Sequence, residues 1–91
     1  MFLQEQGRWI DAVRAAVHSE DAGALERSAH RFKGAVGMFK GSDVAVELCG
    51  ELEALGRAGH LDRARLIIAR LEQELERICR SLEALLRRNR K

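Results

Sequence analysis

The last third of the chain decides the fold class: residues 61–89 read LDRARLIIARLEQELERICRSLEALLRRN. Apolar residues recur there at alternating steps of four and three, at Ala64, Ile68, Leu71, Leu75, Ile78, Leu82 and Leu85. This spacing defines one face of an α-helix, and it is the seam of helices that pack almost antiparallel at a shallow angle. The stretch therefore predicts a long amphipathic helix over about residues 61–89.

Three shorter amphipathic segments precede the long one and predict helices at about residues 2–18, 22–39 and 43–56. Asp21 and Ser42 stand where N-caps are expected, and Gly59 closes the turn after the third helix. Short connections make consecutive helices antiparallel neighbours. We therefore expect an all-α, antiparallel up-and-down four-helix bundle, with residues 1–91 forming a single domain. The heptad pattern of the last helix would also suit a coiled-coil dimer.

The composition excludes several classes of protein. The chain has 91 residues and no proline, and its length permits one domain. No apolar run approaches the roughly 20 residues that span a bilayer, and the N-terminus lacks the pattern of a signal peptide. We therefore expect a cytoplasmic protein without direct membrane contact. The net charge of +2 comes from four basic residues at positions 87–91, so residues 1–86 carry −2 and show no basic face for nucleic acid.

The two cysteines and the carboxylates suggest no chemistry. Cys49 and Cys79 lie inside amphipathic segments without the spacing of a metal site, which favours reduced, buried thiols in a cytosolic protein over a disulfide. No metal-binding or nucleotide-binding motif is present. The acidic side chains of the third helix, Glu47, Glu51 and Glu53, are interpreted as a solvated face without a catalytic role.

One histidine has an unusual environment. On a helical wheel of about 100° per residue, His30 lies about 140° from the centre of the apolar stripe of its helix, so it should face solvent. Gly34 and Gly37 flank it on the same side, and each interior glycine costs a helix about 1 kcal/mol relative to alanine. This points to a bare patch that another macromolecule approaches closely. His18 and His60 lie near helix ends, where a charge effect of the helix end or a capping role accounts for a histidine.

Cations surround His30 along the same helix. Lys33 lies three residues on and could reach an anion attached to the ring, and Arg27 and Arg31 add positive charge nearby. Neutral imidazole is a good nucleophile near neutral pH and forms covalent intermediates. The pattern predicts an exposed histidine that carries phosphate, with Lys33 stabilising the phosphate and the two arginines and two glycines forming a docking surface.

Two stretches resemble a known family. Residues 29–37, AHRFKGAVG, are similar to the signature of histidine phosphotransfer (HPt) domains, H-x-[apolar]-K-G, and residues 51–59, ELEALGRAG, resemble the third helix and following turn of that family. The resemblance implies an intermediate of a two-component phosphorelay, in which a histidine accepts a phosphoryl group from a receiver-domain aspartate and passes it to another receiver. His30 matches the phospho-acceptor and Lys33 the lysine near the phosphate. Gly34 and Gly37 match the small residues beside the ring.

The resemblance also implies the partners. Receiver domains would bring the magnesium and the acidic pocket, so this chain needs no metal, no cofactor and no nucleotide-dependent catalytic site. The expected context is bacterial, with a monomeric carrier, as a stand-alone protein or fused to a hybrid sensor histidine kinase. Two departures from the family pattern are Lys40, where a glycine is usual, and His60, where an aspartate often begins the last helix.

Two other functions compete with the carrier. The first is a structural helical interaction or dimerisation module in which His30 has no role, and it would share the seam of the last helix between chains. The second is an enzyme in its own right, such as a kinase or phosphatase. The absence of a nucleotide-binding element and of a base paired to a nucleophile ranks the enzyme last.

Overall fold

The fold consists of helices joined by short connections. The structure, a computed structural model, describes residues 2–38 and 41–88, with side chains from Gly7 onward. The four helices are α1 (Phe2–His18), α2 (Ala22–Val36), α3 (Asp43–Ala58) and α4 (Leu61–Arg88). Within the described residues there is no strand.

The helices form a closed ring of neighbours. Each packs against the next along the chain, and α4 packs against α1. Between α2 and α3, the contacts pair Glu26 with Arg57 and Lys33 with Glu53, so residue numbers rise on one helix as they fall on the other. The predicted all-α four-helix bundle is confirmed, and α2 and α3 run antiparallel within it.

All four helices contribute to one hydrophobic core. The apolar stripes supply its buried members: Ile10, Val13, Ala16, Val17, Leu25, Ala29, Phe32, Val36, Ala45, Leu48, Cys49, Leu52, Ala64, Ile68, Leu71, Leu75 and Ile78. Trp9 is half-buried at the edge of this core, and its ring centroid lies 5.4 Å from that of Phe32. Burial of apolar area at about 25 cal/mol per Å² is the main stabilising contribution in such a bundle. It also fixes the rotation of each helix about its axis.

The starts of α2 and α3 agree with the prediction, whereas the end of α2 differs from it. The Asp21 carboxylate accepts a hydrogen bond from the backbone N–H of Ala24, as expected of an N-cap. Helix α2 ends at Val36 rather than at about residue 39, because the low helix propensity of glycine outweighs the apolar periodicity at Gly37. The predicted core residue Phe39 lies outside the described residues. Ser42 takes the N-cap position of α3, but its side chain makes no capping hydrogen bond there.

Helix α3 extends to Ala58, two residues beyond its predicted end. Gly59, at φ 79°, adopts the left-handed conformation after the last helical residue. The Gly59 N–H donates to the Gly56 carbonyl, and the His60 N–H donates to the Leu55 carbonyl. This pair of hydrogen bonds is the Schellman motif. Gly59 therefore ends the helix as predicted, and Gly56 lies inside it.

Helix α4 is longer than the other three helices and extends beyond the core. It has 28 residues, whereas the other helices have 15 to 17. The predicted seam is buried from Ala64 to Ile78, and Leu82 is half-buried against the core. The last member, Leu85, is 53% exposed, so the predicted seam continues past the part of α4 that the core covers. The residue predicted to end the helix, Asn89, lies outside the described residues.

Candidate functional site

Helix α2 presents His30 to solvent. Leu25, Ala29, Phe32 and Val36 bury one face of the helix, which rotates His30 away from the core. The His30 side chain is 68% exposed, as the helical wheel predicts. Its ring is therefore accessible to another protein, while the helix beneath it is held by the core.

The His30 ring is held by a carboxylate from the neighbouring helix. Nδ1 of His30 lies 2.9 Å from Oε2 of Glu53 on α3. An ionised carboxylate only accepts hydrogen bonds, so Nδ1 carries the proton and donates it. In neutral imidazole, the lone pair then belongs to Nε2, because the hydrogen bond at one ring nitrogen selects the tautomer. Glu53 thus orients the ring with its nucleophilic nitrogen available.

Lys33 binds the same carboxylate. Its Nζ donates to Oε1 of Glu53 at 2.7 Å, so the two oxygens of the carboxylate are taken by the lysine and the histidine. The Lys33 hydrogen bond is the main cause that lowers the pKa of Glu53, and the His30 hydrogen bond adds to it, while burial acts in the opposite direction. Glu53 is only 13% exposed, so the pair is shielded from much of the solvent. The predicted phosphate-stabilising lysine therefore neutralises a neighbouring acid in this structure.

The ion-pair network continues along the α2–α3 groove. Nη2 of Arg57 lies 3.7 Å from Oε2 of Glu53, and Nε of the same arginine donates to Glu26 on α2 at 2.8 Å. Beside His30 the groove opens into a depression of about 580 Å³, lined by Ala24, Glu26, Arg27, Ser28, His30, Arg31 and Glu53. The structure therefore brings both predicted docking arginines to the same depression as the histidine.

The two glycines near His30 have different surroundings. A Cβ atom at Gly34 would meet nothing within 4 Å, so this position is an open part of the surface. A Cβ atom at Gly37 would lie 3.1 Å from the Lys33 carbonyl oxygen. Gly37 is the C-cap of α2 and not an interior residue of the helix. The open patch beside the ring is therefore centred on Gly34, and Gly37 has a local role in ending the helix.

Glu53 is the residue that sequence reasoning missed. Glu47 and Glu51 are exposed as predicted, but Glu53 faces α2. A signal was present: Glu53 follows Cys49 by four residues and precedes Gly56 by three, and both are buried. Because Cys49 and Gly56 are buried, the buried face of α3 extends beyond the leucine seam towards α2. Glu53 lies on this extension.

The other histidines and the two cysteines make no hydrogen bond or ion pair with His30, Lys33 or Glu53 within the described residues. His18 and His60 are exposed, and Cys79 is half-buried rather than buried as predicted. Burial raises the pKa of the Cys49 thiol to about 12, so it stays protonated; both thiols are free. Within residues 2–38 and 41–88, no group of three or more His, Cys, Asp or Glu side chains could hold a metal ion. No helix in that part of the chain is long and apolar enough to cross a membrane.

Comparison with known proteins identifies the family. The family model of the Hpt domain matches residues 1–81. No curated protein and no solved structure matches the chain. The family match covers most of the sequence and agrees with the four-helix bundle. The chain therefore belongs to the Hpt domain family, whose members carry out histidine phosphotransfer in phosphorelays and interact there with receiver domains.

Proposed function

We propose that His30 is the residue that carries the phosphoryl group. The observation that supports this most directly is the contact of 2.9 Å between Nδ1 of His30 and Glu53, on a side chain that is 68% exposed. A histidine with one nitrogen engaged by a carboxylate offers the other as a nucleophile, and exposure lets a partner protein reach it.

The proposed acceptance step uses no metal or cofactor of this chain. The Nε2 lone pair attacks the phosphorus of an aspartyl phosphate on a receiver domain. The N–P bond forms as the P–O bond breaks, and the electron pair of that bond stays on the aspartate oxygen. Nδ1 keeps its proton, and the positive charge that develops on the ring faces the Glu53 carboxylate. Catalysis of this kind is mostly positioning and electrostatic stabilisation.

The surroundings of His30 suit an acidic partner. Arg27 and Arg31 line the depression beside the ring, and neither makes an ion pair within the described residues. In the proposal these cations meet acidic groups of the receiver, and Gly34 leaves room for its backbone. Lys33 neutralises Glu53 and follows His30, the proposed site of the phosphoryl group, by one helical turn. The proposal includes a monomeric carrier in the bacterial cytoplasm, as one domain that stands alone or is fused to a hybrid sensor kinase.

Phosphotransfer from receivers tests the proposal. Receiver domains phosphorylated with labelled acetyl phosphate would be mixed with the wild-type protein and with the variants His30→Gln, His18→Gln and His60→Gln. We expect label on the wild type and on the two control variants, but not on His30→Gln. Label on His30→Gln at the wild-type level would refute the proposal.

Exposure of Leu85 and Leu86 at the end of α4 supports the alternative of a dimerisation module. That alternative predicts a dimer mass in solution, which Leu85→Glu should reduce to a monomer mass. The carrier proposal predicts a monomer for both proteins, and sedimentation equilibrium distinguishes the two outcomes.

A further inference from the structure

The proton on Nδ1 of His30 has a consequence for the release of phosphate. Before phosphorylation, neutral imidazole carries its single proton on Nδ1 and donates it to Glu53. Once Nε2 bears a phosphoryl group, the ring has a phosphoryl group on one nitrogen and a proton on the other, unless Nδ1 loses its proton. The ring is then a cation that would become neutral by losing the proton to solvent.

The position of Glu53 opposes that loss. Without the proton, the Nδ1 lone pair would face a carboxylate oxygen 2.9 Å away, which puts two acceptors in contact with no hydrogen between them. The carboxylate is held in place from other directions, because Lys33 donates to Oε1 and Arg57 lies 3.7 Å from Oε2. A charge-assisted hydrogen bond to the ring cation is therefore retained.

We propose that Glu53 keeps Nδ1 of His30 protonated throughout the transfer cycle, so that the phosphoryl group always leaves a neutral imidazole. This inference rests on the proposed function of His30. In the release step, a carboxylate oxygen of the acceptor aspartate attacks phosphorus and forms the O–P bond. The P–Nε2 bond breaks, and its electron pair returns to Nε2. Had the proton been lost, the leaving group would be an imidazolate anion, a far stronger base and a poorer leaving group.

Other charged groups near the ring act on this proton more weakly. On α2, Glu26, Lys33, Arg27 and Arg31 lie around the groove, and on α3 Arg57 lies beyond the carboxylate. Among the described residues, the charged side chains of α1 and α4 make no ion pair with this group. The cations oppose protonation of the ring, and Glu53 is the acid in direct contact with it. Glu53 is thus a positioning residue that acts through the histidine.

The test measures loss of phosphate from the protein without a partner. The wild type, Glu53→Gln and Glu51→Gln would be phosphorylated chemically with phosphoramidate, and loss from His30 followed by ³¹P NMR between about pH 5 and 9. Glutamine keeps an acceptor oxygen but removes the charge. Glu51→Gln removes the same charge from the same helix at an exposed position that lines the α3–α4 groove instead.

We expect Glu53→Gln to lose phosphate about tenfold more slowly than the wild type near pH 8, because a shift of about one pKa unit is a factor of ten in the protonated fraction. The two proteins should converge near pH 5, where solvent protonates the ring in both. Glu51→Gln should follow the wild type at every pH. The same pH profile for wild type and Glu53→Gln would overturn the inference.

A second measurement needs no variant. The ¹⁵N shift of Nδ1 in phosphorylated His30 of the wild type should report a protonated nitrogen to a pH about one unit higher than that of phosphorylated His18 or His60, which are exposed and make no ion pair within the described residues. Equal titration of the three histidines would overturn the inference. Since phosphoramidate replaces the receiver, failure of transfer from receivers would count against the proposed function and leave this result standing.

Discussion

Gly56 of α3 lies directly against the backbone of Glu26 on α2. A Cβ atom at position 56 would lie 2.6 Å from the Glu26 backbone nitrogen and 2.9 Å from the Ala22 carbonyl oxygen. Real Cβ atoms do not approach backbone so closely, so the absence of a side chain sets the distance between the two helices here. Glu53 precedes Gly56 by one turn and His30 follows Glu26 by one turn, so this close approach brings the acid within reach of the histidine.

Replacement of Gly56 by alanine should therefore affect both the fold and the site. We expect Gly56→Ala to lower the free energy of unfolding by about 1–3 kcal/mol, because the methyl group forces α2 and α3 apart. Urea denaturation followed by circular dichroism measures this. Gly50→Ala is the matched control, since a Cβ there meets nothing within 4 Å, and it should stabilise the helix by up to about 1 kcal/mol. Equal stabilities of the two variants would contradict the prediction.

Replacement of Gly34 by alanine should separate stability from docking. Because Gly34 lies inside α2 with open space around it, we expect Gly34→Ala to raise the free energy of unfolding by up to about 1 kcal/mol. Transfer from a phosphorylated receiver should fall about tenfold, because the methyl group displaces the partner from its position. Phosphorylation by phosphoramidate should be unchanged. Gly7→Ala, in the α1–α4 groove, is the control and should leave transfer at the wild-type rate.

Acid should remove the contribution of Glu53 to stability. The Lys33 hydrogen bond lowers the pKa of Glu53 below its ordinary value of 4.5, so the unfolded chain takes up this proton first as the pH falls. The contribution is therefore fully present above 4.5 and is lost as the pH falls through the lowered pKa of the folded protein. Urea denaturation at several pH values should show a difference between wild type and Glu53→Gln that shrinks below 4.5. A difference that grows in acid would have the wrong sign.

The two thiols should differ in reactivity. Burial raises the pKa of Cys49 to about 12, and burial followed by the charge of Glu83 raises the pKa of Cys79. Since the thiolate is the nucleophile and Cys79 is half-buried, we expect iodoacetamide near pH 8 to modify Cys79 slowly and Cys49 only when the protein unfolds. Mass spectrometry of the native protein and of the protein in urea measures both rates. Modification of native Cys49 as fast as Cys79 would contradict this.

Much of the fold could be predicted because the apolar periodicity of the helices reports on burial. The rhythm from Ala64 to Ile78 correctly predicted a buried seam, since each of these side chains faces the core. The same rhythm failed at Leu85, because the length of α4 relative to its neighbours is a tertiary property. Periodicity also predicts too late an end for α2, because it takes no account of the low helix propensity of glycine at Gly37.

The site could be predicted only on one helix. The positions of His30 and Lys33 follow from the sequence of α2, whose wheel shows which side chains leave the core. The pairing of His30 with Glu53 depends on the distance between α2 and α3, and Gly56 permits this short distance because it has no side chain. A glycine that permits a close approach cannot be distinguished in the sequence from a glycine that ends a helix, and the helix predicted over residues 43–56 takes Gly56 as its end. The position of Glu53 off the leucine seam predicts a solvated side chain, whereas the structure places it against α2 at 13% exposure.

Among the described residues, the side chains that bind His30 or its carboxylate partner come from α2 and α3, two helices joined directly in sequence. The other two helices meet these at apolar contacts and share their own ion pair between Arg14 and Glu72. Substitutions in α1 and α4 can accordingly alter how tightly the molecule holds together while the histidine keeps its chemical neighbours. The reactivity of the imidazole and the stability of the bundle can thus be changed separately, the first through the α2–α3 interface and the second through α1 and α4.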